Sequence, residues 1–169
     1  EFQQSQKYRF YYYQLTKCGC TFTKTLINHI DQRASTAAPI KSTWDGTYGI
    51  AFAIIRNPID RFLSLYFDKI LNSGCLIGRH FADLGIAKNT PLSIPEHRAI
   101  SLQTLGHINT TITNSSGRTN FHWRPQIHRL HKISKLDVHL LTLDGLEWQL
   151  PFLMKNACPS IAGYMKQMG

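Results

Sequence analysis

Residues 8–30 read YRFYYYQLTKCGCTFTKTLINHI, and this stretch decides the fold. Its first half, Tyr8 to Leu15, is dense in aromatic side chains, which suit a pleated strand, and it stops at Thr16-Lys17-Cys18-Gly19. Beyond the turn, Phe22, Leu26 and Ile30 recur every fourth residue, the spacing of one helix face, so a helix is predicted over Thr21 to His29. The unit is strand, glycine loop, helix. N–H groups at a helix start point into the loop, the helix dipole is positive there, and a glycine lets backbone approach an oxyanion closely. Residues 17–24 therefore read as a cradle for a phosphate or phosphosulfate. Thr21 and Thr23 are candidate hydroxyl donors, and Lys17 is a mobile positive charge.

Outward from this unit the pattern repeats. Tyr48 to Ile55, YGIAFAII, has no alternation, as expected of a strand buried on both faces in a parallel sheet. Arg56 ends it, Asn57 can cap a helix, Pro58 suits the first helical position and Asp60 the positive helix end. A helix is predicted from Pro58 to about Leu71, burying Phe62, Leu63, Tyr66 and Ile70, with Arg61 left open between a solvated helix residue and a functional one. Residues 75–120 hold Pro91, Pro95 and an Asn/Thr/Ser-rich run, and short helices and loops are expected there. Val138 to Leu143 is a third strand candidate, followed by Asp144-Gly145 and an apolar helix through Leu153. Strands alternating with helices imply an α/β, P-loop-like, three-layer fold: a central parallel sheet flanked by helices, with ligands at the carboxyl ends of its strands. At 169 residues, one domain over residues 1–169 is the expectation.

Nineteen Lys and Arg against ten acidic residues give a net charge of +9, so an anionic partner is expected. Nucleic acid, a membrane surface, a nucleotide or an acidic polysaccharide would all satisfy that sign. The longest apolar run, Ile50 to Ile55, is short of the roughly 20 residues a membrane span needs. Glu1-Phe2 has the look of a cloning scar, so any membrane anchor is expected outside this chain. Cys18, Cys20, Cys75 and Cys158 lack paired zinc-site spacing and leave a Cys75–Cys158 disulfide open. Asn109-Thr110-Thr111 and Asn114-Ser115-Ser116 fit the glycosylation acceptor pattern.

Three motifs narrow the chemistry. Lys17-Cys18-Gly19-Cys20-Thr21-Phe22-Thr23-Lys24 lacks the second glycine and the Lys-Ser/Thr pair of a triphosphate loop. It resembles the 5'-phosphosulfate loop of the sulfotransferases, in the K-x-G-C-T-x-x-K form of the carbohydrate sulfotransferase family. Residues 56–66, RNPIDRFLSLY, resemble that family's 3'-phosphate segment, R-x-P-x-x-R-x-x-S-x-Y. His122-Trp123-Arg124-Pro125-Gln126 resembles the H-W-x-P-Q segment of members that modify glycosaminoglycan-type chains.

The resemblance implies a transferase that moves a sulfuryl group from 3'-phosphoadenosine-5'-phosphosulfate (PAPS) to a hydroxyl of an acidic or neutral glycan, in line and without a metal, leaving 3'-phosphoadenosine-5'-phosphate (PAP). No nucleic acid is expected. For a eukaryotic source it implies the Golgi lumen, otherwise the cytoplasm. Lys17 through Lys24 would hold the phosphosulfate, with Lys17 at the leaving oxygen, while Arg56 and Ser64 would grip the 3'-phosphate. The residues before Arg56 offer only Asp45 where some relatives carry a histidine or glutamate, so His122 is the expected general base, with Asp45 and His29 behind it. The basic run His128, Arg129, His131, Lys132 and Lys135 suits a solvated face or, with Arg118 and Arg124, a groove for an acidic sugar chain. Two competing readings, a P-loop-like nucleotide kinase and a non-catalytic polyanion-binding module, account for only part of this pattern.

Overall fold

The computed structural model describes residues 1–68, 99, 125–159 and 161–168. Glu1–Arg56 and Gln126–Gly169 form one compact unit, and Asn57–Pro125 forms another.

The first unit is built on a five-stranded sheet. Its strands are β1 (Phe2–Gln4), β2 (Phe10–Tyr13), β3 (Lys41–Ser42), β4 (Ile50–Ile55) and β5 (Val138–Thr142). Their order across the sheet is β3-β1-β2-β4-β5. β2 pairs parallel with β4, Tyr12 opposite Phe52, and β4 pairs parallel with β5, Ala53 opposite Leu140. The expected parallel core is therefore present, and an antiparallel edge is added to it, because β1 runs against both β2 and β3. β4 lies between β2 and β5, and its Ala51, Phe52, Ala53 and Ile54 are each at most 1% exposed, which is why its sequence shows no alternation.

Side-chain alternation on β2 places helices on both faces. Tyr12 and Phe10 meet Phe52 on one face. There the Tyr12 hydroxyl donates to the Cys18 carbonyl at the entrance to α1 (Cys20–Ile30). On the other face the Tyr13 hydroxyl donates to the carbonyl of Arg129 in α3 (Gln126–Leu130), which runs into a 3-10 turn over His131–Ile133. α4 (Leu146–Met154) and α5 (Ile161–Met168) complete the unit. Leu26, Ile27 and Ile30 of α1, Leu150 and Met154 of α4 and Ile161 of α5 share one core with the sheet. Burying each large side chain contributes about 1.5–3 kcal/mol. At the far end of α1, Asp31 accepts the N–H groups of Gln6 and Lys7, which fastens the β1–β2 turn to the helix.

In the second unit, α2 (Pro58–Tyr66) starts as its sequence dictates: Asn57 Oδ1 accepts the Ile59 N–H at 2.9 Å, and Pro58 occupies the first turn. Its buried face differs from the expectation. Arg61, Leu65 and Tyr66 are buried, whereas Leu63 is 45% exposed and Phe62 is intermediate, stacking on Tyr66 with ring centroids 6.2 Å apart. Arg61, which the sequence leaves open, is thus among the buried residues. Ile70, Leu71, Cys75, the two glycosylation triplets, Arg118, His122 and Arg124 lie outside the described residues.

Candidate functional site

The site is formed where β2 gives way to α1. Lys17 sits at φ 62° and Gly19 at φ 75°, so two left-handed residues bracket Cys18. For a lysine that conformation costs about 1–2 kcal/mol, and such strain concentrates where a loop must hold one shape. Two contacts keep the shape: the Cys18 N–H donates to the Leu15 carbonyl at 3.3 Å, and the Tyr12 hydroxyl reaches the Cys18 carbonyl at 3.4 Å. Burial pushes the Tyr12 hydroxyl far above the usual tyrosine range, so it remains a protonated donor throughout the working pH range.

Gly19 is the N-cap of α1 and supplies no side-chain cap. The first bond of the helix closes from the Thr23 N–H to the Gly19 carbonyl at 2.9 Å. The N–H groups of Cys20, Thr21 and Phe22 thus stand at the positive end of α1 with no helical carbonyl one turn behind them. A Cβ built on Gly19 would come within 3.0 Å of Leu143 Cδ1, so the loop lies tight against the exit of β5. These features suit a tetrahedral oxyanion: three amides, a glycine at the point of closest approach, and Lys17 and Lys24, both half-exposed, nearby in the chain. Thr21 is exposed at the helix start, whereas Thr23 is fully buried and its hydroxyl donates back to the Gly19 carbonyl at 3.0 Å. That bond braces the loop from behind and occupies the hydroxyl that the sequence offers as a candidate donor. The Cys20 side chain is half-buried.

β4 exits beside β2 and delivers Arg56. Its N–H donates to Gln126 Oε1 at 3.0 Å, its carbonyl accepts Gln126 Nε2 at 2.7 Å, and its side chain is half-exposed. The Cys18 thiol, itself fully buried, donates to the same Gln126 Oε1 at 3.1 Å. Gln126 was singled out in sequence only as the last letter of a motif, because its partners are 70 and 108 positions away. Ser64 lies half-buried on α2 in the other unit, and His122 lies outside the described residues.

The two lesser candidates for a base both lie within the described residues. Asp45 is exposed, and the hydroxyl and N–H of Thr47, at 2.6 and 2.9 Å, hold its carboxyl below the usual carboxylate range. His29 ends α1 edge-on to Tyr164, ring centroids 5.0 Å apart. Of the basic run, His128, His131, Lys132 and Lys135 are exposed, while the Arg129 guanidinium lies 5.6 Å from the centre of the Tyr13 ring.

A cavity of about 590 Å³ opens at the same end of the sheet, lined by Phe22, Leu143, Leu146, Glu147, Met165 and Lys166. It joins the first turn of α1 to the exit of β5 and is large enough for a nucleoside. A sheet with a parallel core, a glycine loop at a strand-to-helix turn and an arginine at the adjacent strand exit are the features of an α/β protein whose candidate site lies at the carboxyl ends of its parallel strands. The chain belongs to the sulfotransferase family: the model described as "Sulfotransferase family" matches residues 1–141. Sulfuryl transfer is the activity of that family, and its members generally draw on PAPS as donor. Neither the curated proteins nor the solved structures contain a significant match.

Proposed function

We propose that this chain transfers a sulfuryl group from PAPS to a hydroxyl of a carbohydrate, and that its own loop, strand exits and cavity hold the donor. The observation that carries the reading is the adjacency of two cationic exits, Lys17 with the α1 amides after β2 and Arg56 after β4, on neighbouring parallel strands. The 5'-phosphosulfate is assigned to residues 17–24, the 3'-phosphate to Arg56 and the adenine to the cavity at β5, with Ser64 kept as a 3'-phosphate candidate on the family's motif alone. Exits of parallel strands about 4.8 Å apart succeed one another in the order in which those groups succeed one another along the nucleotide.

Bound there, PAPS supplies an activated sulfuryl group whose bond to the 5'-phosphate oxygen breaks as the acceptor oxygen attacks from the opposite side. Lys17 and the amides of Cys20 to Phe22 stabilise the charge that develops on the departing phosphate oxygen. His122 takes the acceptor hydroxyl proton, a task for which an imidazole is suited near neutral pH. The exposed His131, Lys132 and Lys135 with Arg129 favour an acidic glycan, held by attraction that salt weakens.

Radiolabelled PAPS offered with a panel of glycans tests the whole reading, with PAP titrated calorimetrically into the same protein. Label on a glycan, and PAP binding that collapses in Lys17→Ala and Arg56→Ala, is the expected result. A folded chain that ignores PAP refutes it, and glycan binding without cofactor dependence would favour the polyanion-binding alternative. For the acceptor groove, neutralising Arg129, Lys132 and Lys135 together is expected to raise acceptor KM, and an unchanged KM removes the groove.

A further inference from the structure

We propose that Gln126 is a positioning residue that sets the distance between the two anion clamps. The inference rests on the donor reading above and concerns how its two ends are held in register. The β4–β5 ladder ends when the Leu143 N–H donates to the Ile55 carbonyl at 2.9 Å, so the next residue, Arg56, has left the sheet. Gln126 takes over there. Its carboxamide accepts the Arg56 N–H at 3.0 Å and donates to the Arg56 carbonyl at 2.7 Å, engaging both main-chain groups as a neighbouring strand would. A polar main-chain pair that has left its ladder is fixed by this one side chain.

The same oxygen, Oε1, also accepts the Cys18 thiol at 3.1 Å, a shorter contact than the thiol's 3.5 Å approach to the Thr16 carbonyl. Cys18 lies between the two left-handed residues of the phosphate loop. One carboxamide thus joins the strand exit that presents Arg56 to the loop that presents Lys17 and the α1 amides. Its own backbone is carried by α3, which is tied to β2 through the Tyr13 hydroxyl and the Arg129 carbonyl at 3.3 Å. Gln126 touches neither anion in this arrangement. It acts through Arg56 and Cys18, and its effect belongs to ligands that must span both clamps.

That property separates positioning from general structural support. A ligand held at two points gains affinity only if both points can be met at once. Binding of three probes would be measured calorimetrically on wild type and Gln126→Ala: PAP, adenosine 5'-phosphate and adenosine 3'-phosphate. The expected result is a loss of about tenfold or more for PAP, with each monophosphate kept within about twofold, and a PAPS KM that rises with the PAP loss. Equal losses for all three probes, or no loss for PAP, overturn the positioning role. Should Gln126→Ala fail to fold, Gln126→Asn repeats the comparison: it keeps the amide but is one methylene short of spanning Arg56 and Cys18, and the same pattern is expected. A wild-type chain that binds none of the three probes sinks the donor reading and this role with it. That outcome is distinct from a wild type that binds PAP and a variant that loses nothing.

Discussion

Replacing Gly19 by alanine perturbs the site at its tightest point, and the loss divides into two parts that can be measured separately. The first is backbone. Gly19 has φ 75° and ψ 19°, a left-handed geometry that costs an L-residue about 1–2 kcal/mol. Part is returned because alanine stiffens the unfolded chain by about 0.4–1 kcal/mol, leaving a net of about 0.5–1.5 kcal/mol. The second is contact. The new methyl would stand 3.0 Å from Leu143 Cδ1, the far end of a side chain that can turn aside, at an off-rotamer cost of about 0.5–1.5 kcal/mol. Together they predict about 1–3 kcal/mol of destabilisation in urea unfolding, or about 2–4 °C of melting temperature per kcal/mol for a chain of this size.

The two parts separate in a double-mutant cycle with Leu143→Ala. Shortening Leu143 removes the contact but not the dihedral, so a coupling of about 0.5–1.5 kcal/mol is expected, with the backbone part persisting in the double variant. Affinity behaves differently. On the donor reading the left-handed backbone of Gly19 shapes the oxyanion cradle, so the strain that persists in the double variant keeps PAP binding weak even after the contact is relieved. Gly19→Ala within about 0.3 kcal/mol of wild type, or a cycle without coupling, would refute the geometry; PAP affinity restored in the double variant would refute the cradle.

Gly49→Ala should be the more damaging glycine change, because φ is 86° and a Cβ would lie 2.3 Å from the main-chain oxygen of Arg9, which cannot rotate away; a unfolding midpoint near that of wild type would contradict this. Lys17→Ala and Lys17→Gly both delete the side chain, so they should lose kcat equally. Lys17→Gly should nevertheless be the more stable, by up to about 1.5 kcal/mol, since only the alanine keeps a left-handed penalty, and reversed order in thermal melts would count against the assigned conformation. Asp45 is held below the ordinary carboxylate range, so it is already ionised at neutral pH; whatever stability it lends exists above its unfolded pKa and is lost as pH falls through its lower folded one. Asp45→Asn should accordingly leave the neutral limb of the pH–rate profile where it is, and a displaced limb would make Asp45 the base.

What could be read from the sequence was what is local. β2, the loop, α1 and β4 announce themselves by aromatic density, by one glycine, by a four-residue period and by an unbroken apolar run, and each feature acts within a dozen residues. β1 and β3 do not: three and two residues long, with Gln3, Gln4 and Lys41 among them, they become strands only because Phe2 finds Tyr13 on one side and Ser42 on the other. α5 was missed because it is short and carries Gly163, yet its Ile161 is fully buried in the core. A threonine near a helix start can point either way, and the sequence does not show that the Thr23 hydroxyl bonds the carbonyl one turn back. The role of Gln126 had no local trace at all.

The donor reading asks for two cations at a set separation, and that separation is a property of strand register. Lys17 follows β2 and Arg56 follows β4, and the two strands are locked with Tyr13 opposite Ala53. A slip of one residue would move Arg56 along the strand by about 3.3 Å and turn its side chain to the other face, taking the clamp out of reach of a nucleotide held at Lys17. The register is pinned at the opposite end of the pair, where the Ile50 N–H donates to the Arg9 carbonyl at 2.9 Å and Gly49 alone allows that approach. On the donor reading, Gly49 therefore influences donor geometry from the opposite end of the β2–β4 pair. Any substitution tolerated there for folding should still be felt as a mismatch between the 5' and 3' clamps, in the same bisphosphate-specific way as the loss of Gln126.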